Sequence, residues 1–234
     1  MKTPHLARWA GACARAAVLS TLGGLAAADA TPYEQMAPLE QYLMTSGTEI
    51  ALARSAAPAA LSAKATVMIL DSHGYQTVAH GTNGFTCLVE RSWMSPFESK
   101  DFWNPKIRGP VCYNPTASGS ILAYTLRRTK LALAGGSKER VLDAVRAALA
   151  RNELPALEPG AMSFMMSKDG YLSDADSHWH PHLMFYVPKA TGASWGANLP
   201  GSPVVLDERA VPEPQTIFMV PVSHWSDGTM AAAH

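Results

Sequence analysis

Three histidines alternate with other residues in the stretch His178-Trp179-His180-Pro181-His182, just ahead of the large apolar side chains of residues 183–187. Imidazole is the commonest protein ligand for metal ions. On an extended chain all three rings share one face, because strand side chains alternate with period two. At a rise of ~3.3 Å per residue, neighbouring rings on that face stand roughly 6.6 Å apart and the outer two about 13 Å. Two can converge on one ion, but not all three unless Pro181 bends the chain. The metal pair is then His178 with His180, or His180 with His182, completed from elsewhere by Asp174, Asp176, His73, His80, Glu90 or His224. Zinc with three such ligands and an open position would activate a water for hydrolysis. Copper is the other metal to expect, since thioethers suit it and Met162, Met165, Met166 and Met184 lie nearby in sequence. Methionines also fill gaps in cores, and the histidines read equally well as the polar start of an ordinary strand.

A second group of residues suits an organic ligand. Trp195 and Asn198 lie in the loop "SWGANLPGSP", where a flat apolar face and an amide could grip a small molecule. Trp93, Phe97 and Trp103 offer similar surfaces in "SWMSPF" and "DFWNP". The alternative is that these aromatics cover the open face of a sheet. The chain carries no G-x-S-x-G elbow, no phosphate-binding G-x-x-x-x-G-K-[ST] loop and no dinucleotide fingerprint.

The elements that must position these residues follow from periodicity. "PLEQYLMTSGTEIALARSA" spaces Leu39, Tyr42, Leu43, Ile50 and Ala53 as a helix interrupted at Gly47. Three strands are expected at about 65–71, 75–80 and 84–90, joined as an up-and-down meander by the turn sequences "DSHG" and "GTNG". "SGSILAYTLRRTKLALAG" fits helix or strand. "SKERVLDAVRAALARNEL" is the clearest helix: Ser137 caps it, Glu139 suits its first turn, and Val141, Leu142, Val145, Ala148 and Leu149 form its stripe. Strands return in "AMSFMMS", "PHLMFYVP" and "QTIFMVPVS". This order predicts an α+β domain over residues 31–226, with one antiparallel or mixed sheet of five to six strands and two to three helices on one face. Residues 227–234 read as a loose tail.

The first 30 residues read as a secretory signal peptide. Lys2, Arg8 and Arg15 flank the apolar run "AAVLSTLGGLAAA", and small residues offer cleavage after Ala28 or Ala30. Export to the periplasm or the medium is therefore expected. Of 19 basic and 19 acidic residues, removing three and one leaves 16 and 18, a balance that lacks the basic excess a nucleic-acid partner would require. No later apolar run predicts a membrane span. Once the leader carrying Cys13 is gone, Cys87 and Cys112 remain. In an oxidising compartment an even pair predicts one disulfide, worth roughly 3–4 kcal/mol on the chain-entropy model. The loop it closes, rich in Trp, Phe, Pro and Gly, is expected to be irregular.

The segments "FTCLVERSWMSPF", "GAMSFMMSK", "HWHPHLMFYVP" and "SWGANLPGSP" together resemble a family of exported bacterial proteins. That resemblance spans most of the mature chain and implies export without implying a reaction, a cofactor or a catalytic residue. More locally, H-x-H-P at His178, His180 and Pro181 resembles the motif of the JAMM metalloproteases. That family places a serine and then a zinc-binding aspartate where this chain has Pro188 and Thr191. H-x-H also occurs in cupins, where a glutamate follows; here "LMFYVP" follows. The expected function is binding of a small ligand or metal ion by the histidine strand and the Trp195 loop. A metal-dependent hydrolase using His178 and His180, and a structural or interaction protein of the envelope, are the alternatives.

Overall fold

The computed structural model describes residues 33–174, 179–206 and 212–232. Eight strands form one mixed sheet: β1 (Thr66–Asp71), β2 (Gly74–Ala79), β3 (Thr86–Glu90), β4 (Gly109–Tyr113), β5 (Met162–Met165), β6 (His182–Pro188), β7 (Val205–Leu206) and β8 (Gln215–Pro221). Their spatial order is β2-β1-β3-β4-β5-β6-β8-β7. Five α-helices accompany them: α1 (Ser46–Arg54), α2 (Ala59–Ser62), α3 (Pro115–Gly119), α4 (Ile121–Leu133) and α5 (Lys138–Ala150).

The expected sheet of five to six strands with two to three helices on one face is thus too small. Six strands lie close to the positions read from the pattern; β4 and β7 are additional. β4 escapes a periodicity reading because all five of its residues are buried and it opens with Gly109-Pro110, so it shows neither alternation nor strong strand propensity. β7 has only two residues. The helices also occupy both faces. Ala53 of α1 packs with Val67, Cys87, Val89 and Cys112, whereas Ile121 and Ala132 of α4 and Val141 and Val145 of α5 pack with Leu88, Val111 and Tyr113. Alternation along β3 and β4 supplies both cores at once, which only a sheet covered on both sides requires.

The meander is corrected too. β3 pairs with β1, and in parallel, while every other pairing in the sheet is antiparallel. The chain leaves β2, crosses the start of β1 and enters β3 on its far side. Thr66 N donates to Phe85 O at 2.8 Å and Thr82 N to Lys64 O at 2.9 Å as it crosses. Gly81 makes the crossing possible: a Cβ there would lie 2.2 Å from Thr66 N and 2.4 Å from Ala65 C.

Cys87 and Cys112 are directly opposed in the β3–β4 ladder and form the disulfide. The bond lies within the α1-covered core, so it staples two central strands as well as closing the loop between them. That loop is largely buried. Trp93, Phe97, Phe102 and Trp103 all belong to the α4-side core, and Trp93 Nε1 donates to Thr129 Oγ1 at 3.0 Å.

Two buried ion pairs tie the layers together. Glu49 of α1 and Arg91, just after β3, are both fully buried. Glu49 Oε1 accepts from Arg91 Nη2 at 2.8 Å and from Leu70 N at 3.1 Å. Arg91 Nε donates to Tyr42 O at 2.8 Å, and Arg91 Nη1 donates to Val89 O. Arg128 of α4 grips Glu213 with two parallel bonds of 2.6 and 2.8 Å. Its Nη1 donates to Trp93 O and Ser95 O at 3.2 and 3.1 Å, and the guanidinium lies 4.3 Å from the centre of the Phe97 ring. One arginine thereby joins α4, the loop after β3 and the segment entering β8.

Removing one partner of a fully buried pair leaves an uncompensated charge, which costs about 3–5 kcal/mol. Glu49→Ala is expected to lower the urea unfolding free energy by that much. Lys106→Ala, which breaks the exposed Lys106–Asp174 pair, is expected to leave the unfolding free energy nearly unchanged. Equal losses in the two variants would show that Arg91 finds other compensation.

Candidate functional site

Register builds the site. Met165 on β5 stands opposite His182 on β6, and Met184 on β6 stands opposite Met219 on β8. His182 and Met184 are two residues apart on one strand, so all four side chains share one face of the sheet. Glu90, at the end of β3, lies on the same face opposite Gly109 of β4. These residues, with Met94 from the loop after β3, line a cavity of about 660 Å³. Ser95, Pro96, Glu98, Ser99, Lys100 and Asp101 form its rim from that loop, and Leu172 and Ser173 close the other side. Ser173 Oγ donates to Asp101 Oδ2 at 2.9 Å, clamping the two sides of the rim.

Gly109 keeps the base open. A Cβ there would lie 3.2 Å from Leu172 Cδ2 and 3.5 Å from Met165 Cε. A deeper chamber of about 120 Å³ shares Glu90, Met94 and Met184 with the main cavity and is walled by Tyr113, Tyr124, Tyr186 and Arg128. A third space of about 380 Å³ continues past His182 and Met219 to Trp179, His180 and Val205.

Glu90 is the polar group between the upper and lower chambers. Its Oε1 accepts from Tyr113 Oη and from Thr125 Oγ1, the latter at 3.3 Å. Among the described residues no donor meets Oε2. Burial raises the carboxyl's pKa above its ordinary value, outweighing the opposing hydrogen bonds from Tyr113 and Thr125 and the field of Arg128. Tyr113 and Tyr186 are also pushed up by burial, so both stay protonated phenols. Tyr186 Oη is hydrogen-bonded to Ser163 Oγ at 2.9 Å.

His182 has a defined tautomer. Its Nδ1 lies 2.8 Å from His180 O, and a carbonyl only accepts, so Nδ1 carries the proton. Burial depresses the ring's pKa, outweighing the opposing effect of that bond. The neutral ring therefore keeps its lone pair on Nε2. Trp179 stands edge-on to the ring at 5.3 Å, and its Nε1 donates to Ser167 O.

The other candidate metal ligands lie elsewhere. His178 and Asp176 are outside the described residues, as are residues 1–30. His180 lines the shallow third chamber. His73 and His80 flank β2 at the far edge of the sheet, five strand spacings from β6, or roughly 24 Å. His224 Nδ1 pairs with Ser223 Oγ at 2.9 Å beyond β8. Asp174 accepts from Tyr171, from Tyr33 at 2.6 Å and from Lys106 at 3.2 Å. Those bonds, Tyr171's first and Tyr33's second, hold it well below the usual carboxylate range. Among the described residues, no three His, Cys, Asp or Glu side chains come together as a metal set, and no helix is long and apolar enough to cross a membrane.

The structure separates the Trp195 loop from the histidine strand. Trp195 stacks on Phe218 at 4.5 Å and 10° and lies 6.0 Å from Phe185. Phe185 and Phe218 are a facing pair that alternates with Met184 and Met219, so Trp195 sits on the opposite face from His182. Asn198, in the left-handed conformation at φ 58°, uses its amide to hold β7. Its Nδ2 donates to Leu206 O at 3.0 Å, and its Oδ1 accepts from Leu206 N at 3.1 Å. Trp93 and Trp103 are buried in the core.

Of the residues read from the sequence, the cavity gathers His182, Glu90, Met165 and Met184. It adds Met94 and Met219, which nothing in their local sequence singles out. Met219 joins because β8 pairs with β6 in this register, and Met94 because Arg128 holds its loop. No family model, curated protein or solved structure matches the chain.

The raised Glu90 pKa has a signed consequence. A carboxyl whose folded-state pKa exceeds its unfolded value contributes stability at low pH. That contribution is lost as pH rises from the unfolded value through the folded one. Glu90→Gln is therefore expected to gain stability relative to the wild type as pH climbs above the ordinary glutamate value of 4.5, levelling off once the folded-state pKa is passed. Urea unfolding of both proteins at pH 4, 6 and 8 measures the difference. A difference that stays flat or falls with pH would place the carboxyl in an ordinary solvated setting.

Proposed function

We propose that this is an exported, disulfide-bonded binding protein that takes a small, largely apolar ligand into the methionine-lined cavity between β3–β8 and the loop after β3. The observation that carries the reading is the cavity itself. At about 660 Å³ it falls within the range of small-molecule sites, which are mostly apolar and orient their ligands with few polar groups. Flexible thioethers adapt to irregular apolar shapes. Glu90 offers a hydrogen-bonding carboxyl at the base, and His182 an acceptor nitrogen on the wall. The aromatics of the loop after β3 support the site by filling the core behind it.

Export is supported by the leader-like sequence of residues 1–30 and is compatible with the Cys87–Cys112 disulfide, a bond that persists in oxidising compartments. The resemblance to exported bacterial proteins agrees with this placement.

Nile red, a neutral dye that fluoresces in apolar surroundings, probes the cavity. Wild-type protein is expected to bind it at one site. Gly109→Leu, which fills the base, and Met219→Trp, which fills the wall, are expected to weaken binding by about tenfold or more, or ~1.4 kcal/mol. Circular dichroism establishes that both variants retain the fold. Undiminished dye binding in two folded variants would move the ligand site out of this cavity.

A further inference from the structure

We propose that the wall of the cavity is a copper(I) site formed by the Nε2 of His182 and the thioether sulfurs of Met184 and Met219. The residues come from two neighbouring strands, β6 and β8. Directly opposed side chains on paired strands have Cβ atoms about 4.5–5.5 Å apart, and a methionine sulfur sits two bonds beyond its Cβ. Met219 faces Met184 across the β6–β8 ladder, and His182 lies two residues along β6 from Met184, so each pair of the three stands within about 8 Å and the donors can converge on one ion. All three side chains line the same cavity.

The donor chemistry selects the ion. Thioether sulfur is soft and uncharged, so it suits a soft monovalent ion and serves zinc, calcium or magnesium poorly. The imidazole is already arranged as a ligand: its Nδ1–H is held by His180 O at 2.8 Å. Such a backbone bond fixes the tautomer and orients metal-binding histidines. A group of three His, Cys, Asp or Glu is not needed for this site, because two of its donors are methionines. The two readings share the cavity but differ in what they require: the ion requires sulfur, whereas the ligand requires only apolar volume.

The test uses the full-length chain carrying Cys13→Ser, which removes the thiol outside the disulfide. Copper(I), supplied anaerobically as its acetonitrile complex, is titrated against a chromogenic copper(I) chelator. The expected result is one ion per chain. Met184→Leu/Met219→Leu and His182→Leu are each expected to weaken it by roughly tenfold or more, the scale on which even changes around metal ligands act. X-ray absorption should show a first shell dominated by sulfur, and zinc should not compete.

Leucine preserves the apolar volume, so Nile red binding should persist in the double leucine variant. Loss of copper with retained dye binding supports the ion site, while failure of dye binding alone bears only on the ligand reading. Absence of one-to-one copper(I) binding would overturn the proposal. So would binding unchanged by the leucine variants but lost in His178→Ala/His180→Ala, with a nitrogen-rich shell.

Discussion

The register of β6 between β5 and β8 is the constraint on which the cavity depends. Side chains alternate along each strand, so a slip of one residue would turn His182 and Met184 away and bring Leu183 and Phe185 to their places. Several interactions resist such a slip. β6 and β8 pair over seven successive residues, and Tyr186 N donates to Ala161 O at 3.0 Å next to β5. On the opposite face Phe218 is fully buried beneath Trp195. The aromatic stack on one side thus helps hold the methionine face on the other.

The roof of the cavity depends on different physics. The chain between β3 and β4 has little regular structure and would be poorly specified by backbone pairing alone. It is anchored by side chains: Trp93 bonded to Thr129, three carbonyls bonded to Arg128, and Arg91 locked to Glu49. The disulfide joins the strands at the two ends of this loop. Burying so many polar groups is tolerable because most have partners. Glu49 Oε2 and Ser92 Oγ are exceptions among the described residues, and each such atom weakens the structure unless water reaches it.

Glu90 and His182 show how one setting perturbs an acid and a base in opposite directions. Burial opposes charge on both, raising the carboxyl and lowering the imidazole. Both therefore shift toward their neutral forms within a wall otherwise rich in methionine. Such a surface favours apolar matter and soft ions over charged ligands, which is the common ground of the two binding proposals.

Much of the local structure was legible in the sequence because it depends on local chemistry. The α5 stripe and its Ser137 cap, the positions of β1, β2 and β3, and the pairing of Cys87 with Cys112 follow from periodicity, capping and parity. The strand that follows the histidines was legible as "PHLMFYVP", and the structure begins it at His182. Which residues meet His182 was not legible. Alternation within one strand says which side chains share a face, but not which strand lies beside it or in what register. Trp195 and His182, close in sequence and both suited to binding, lie on opposite faces because the loop after β6 folds back over Phe218. Met219, 37 residues beyond His182, joins it because β8 pairs with β6. Non-local pairing, set by burial of two cores against one sheet, is what only the tertiary structure decided.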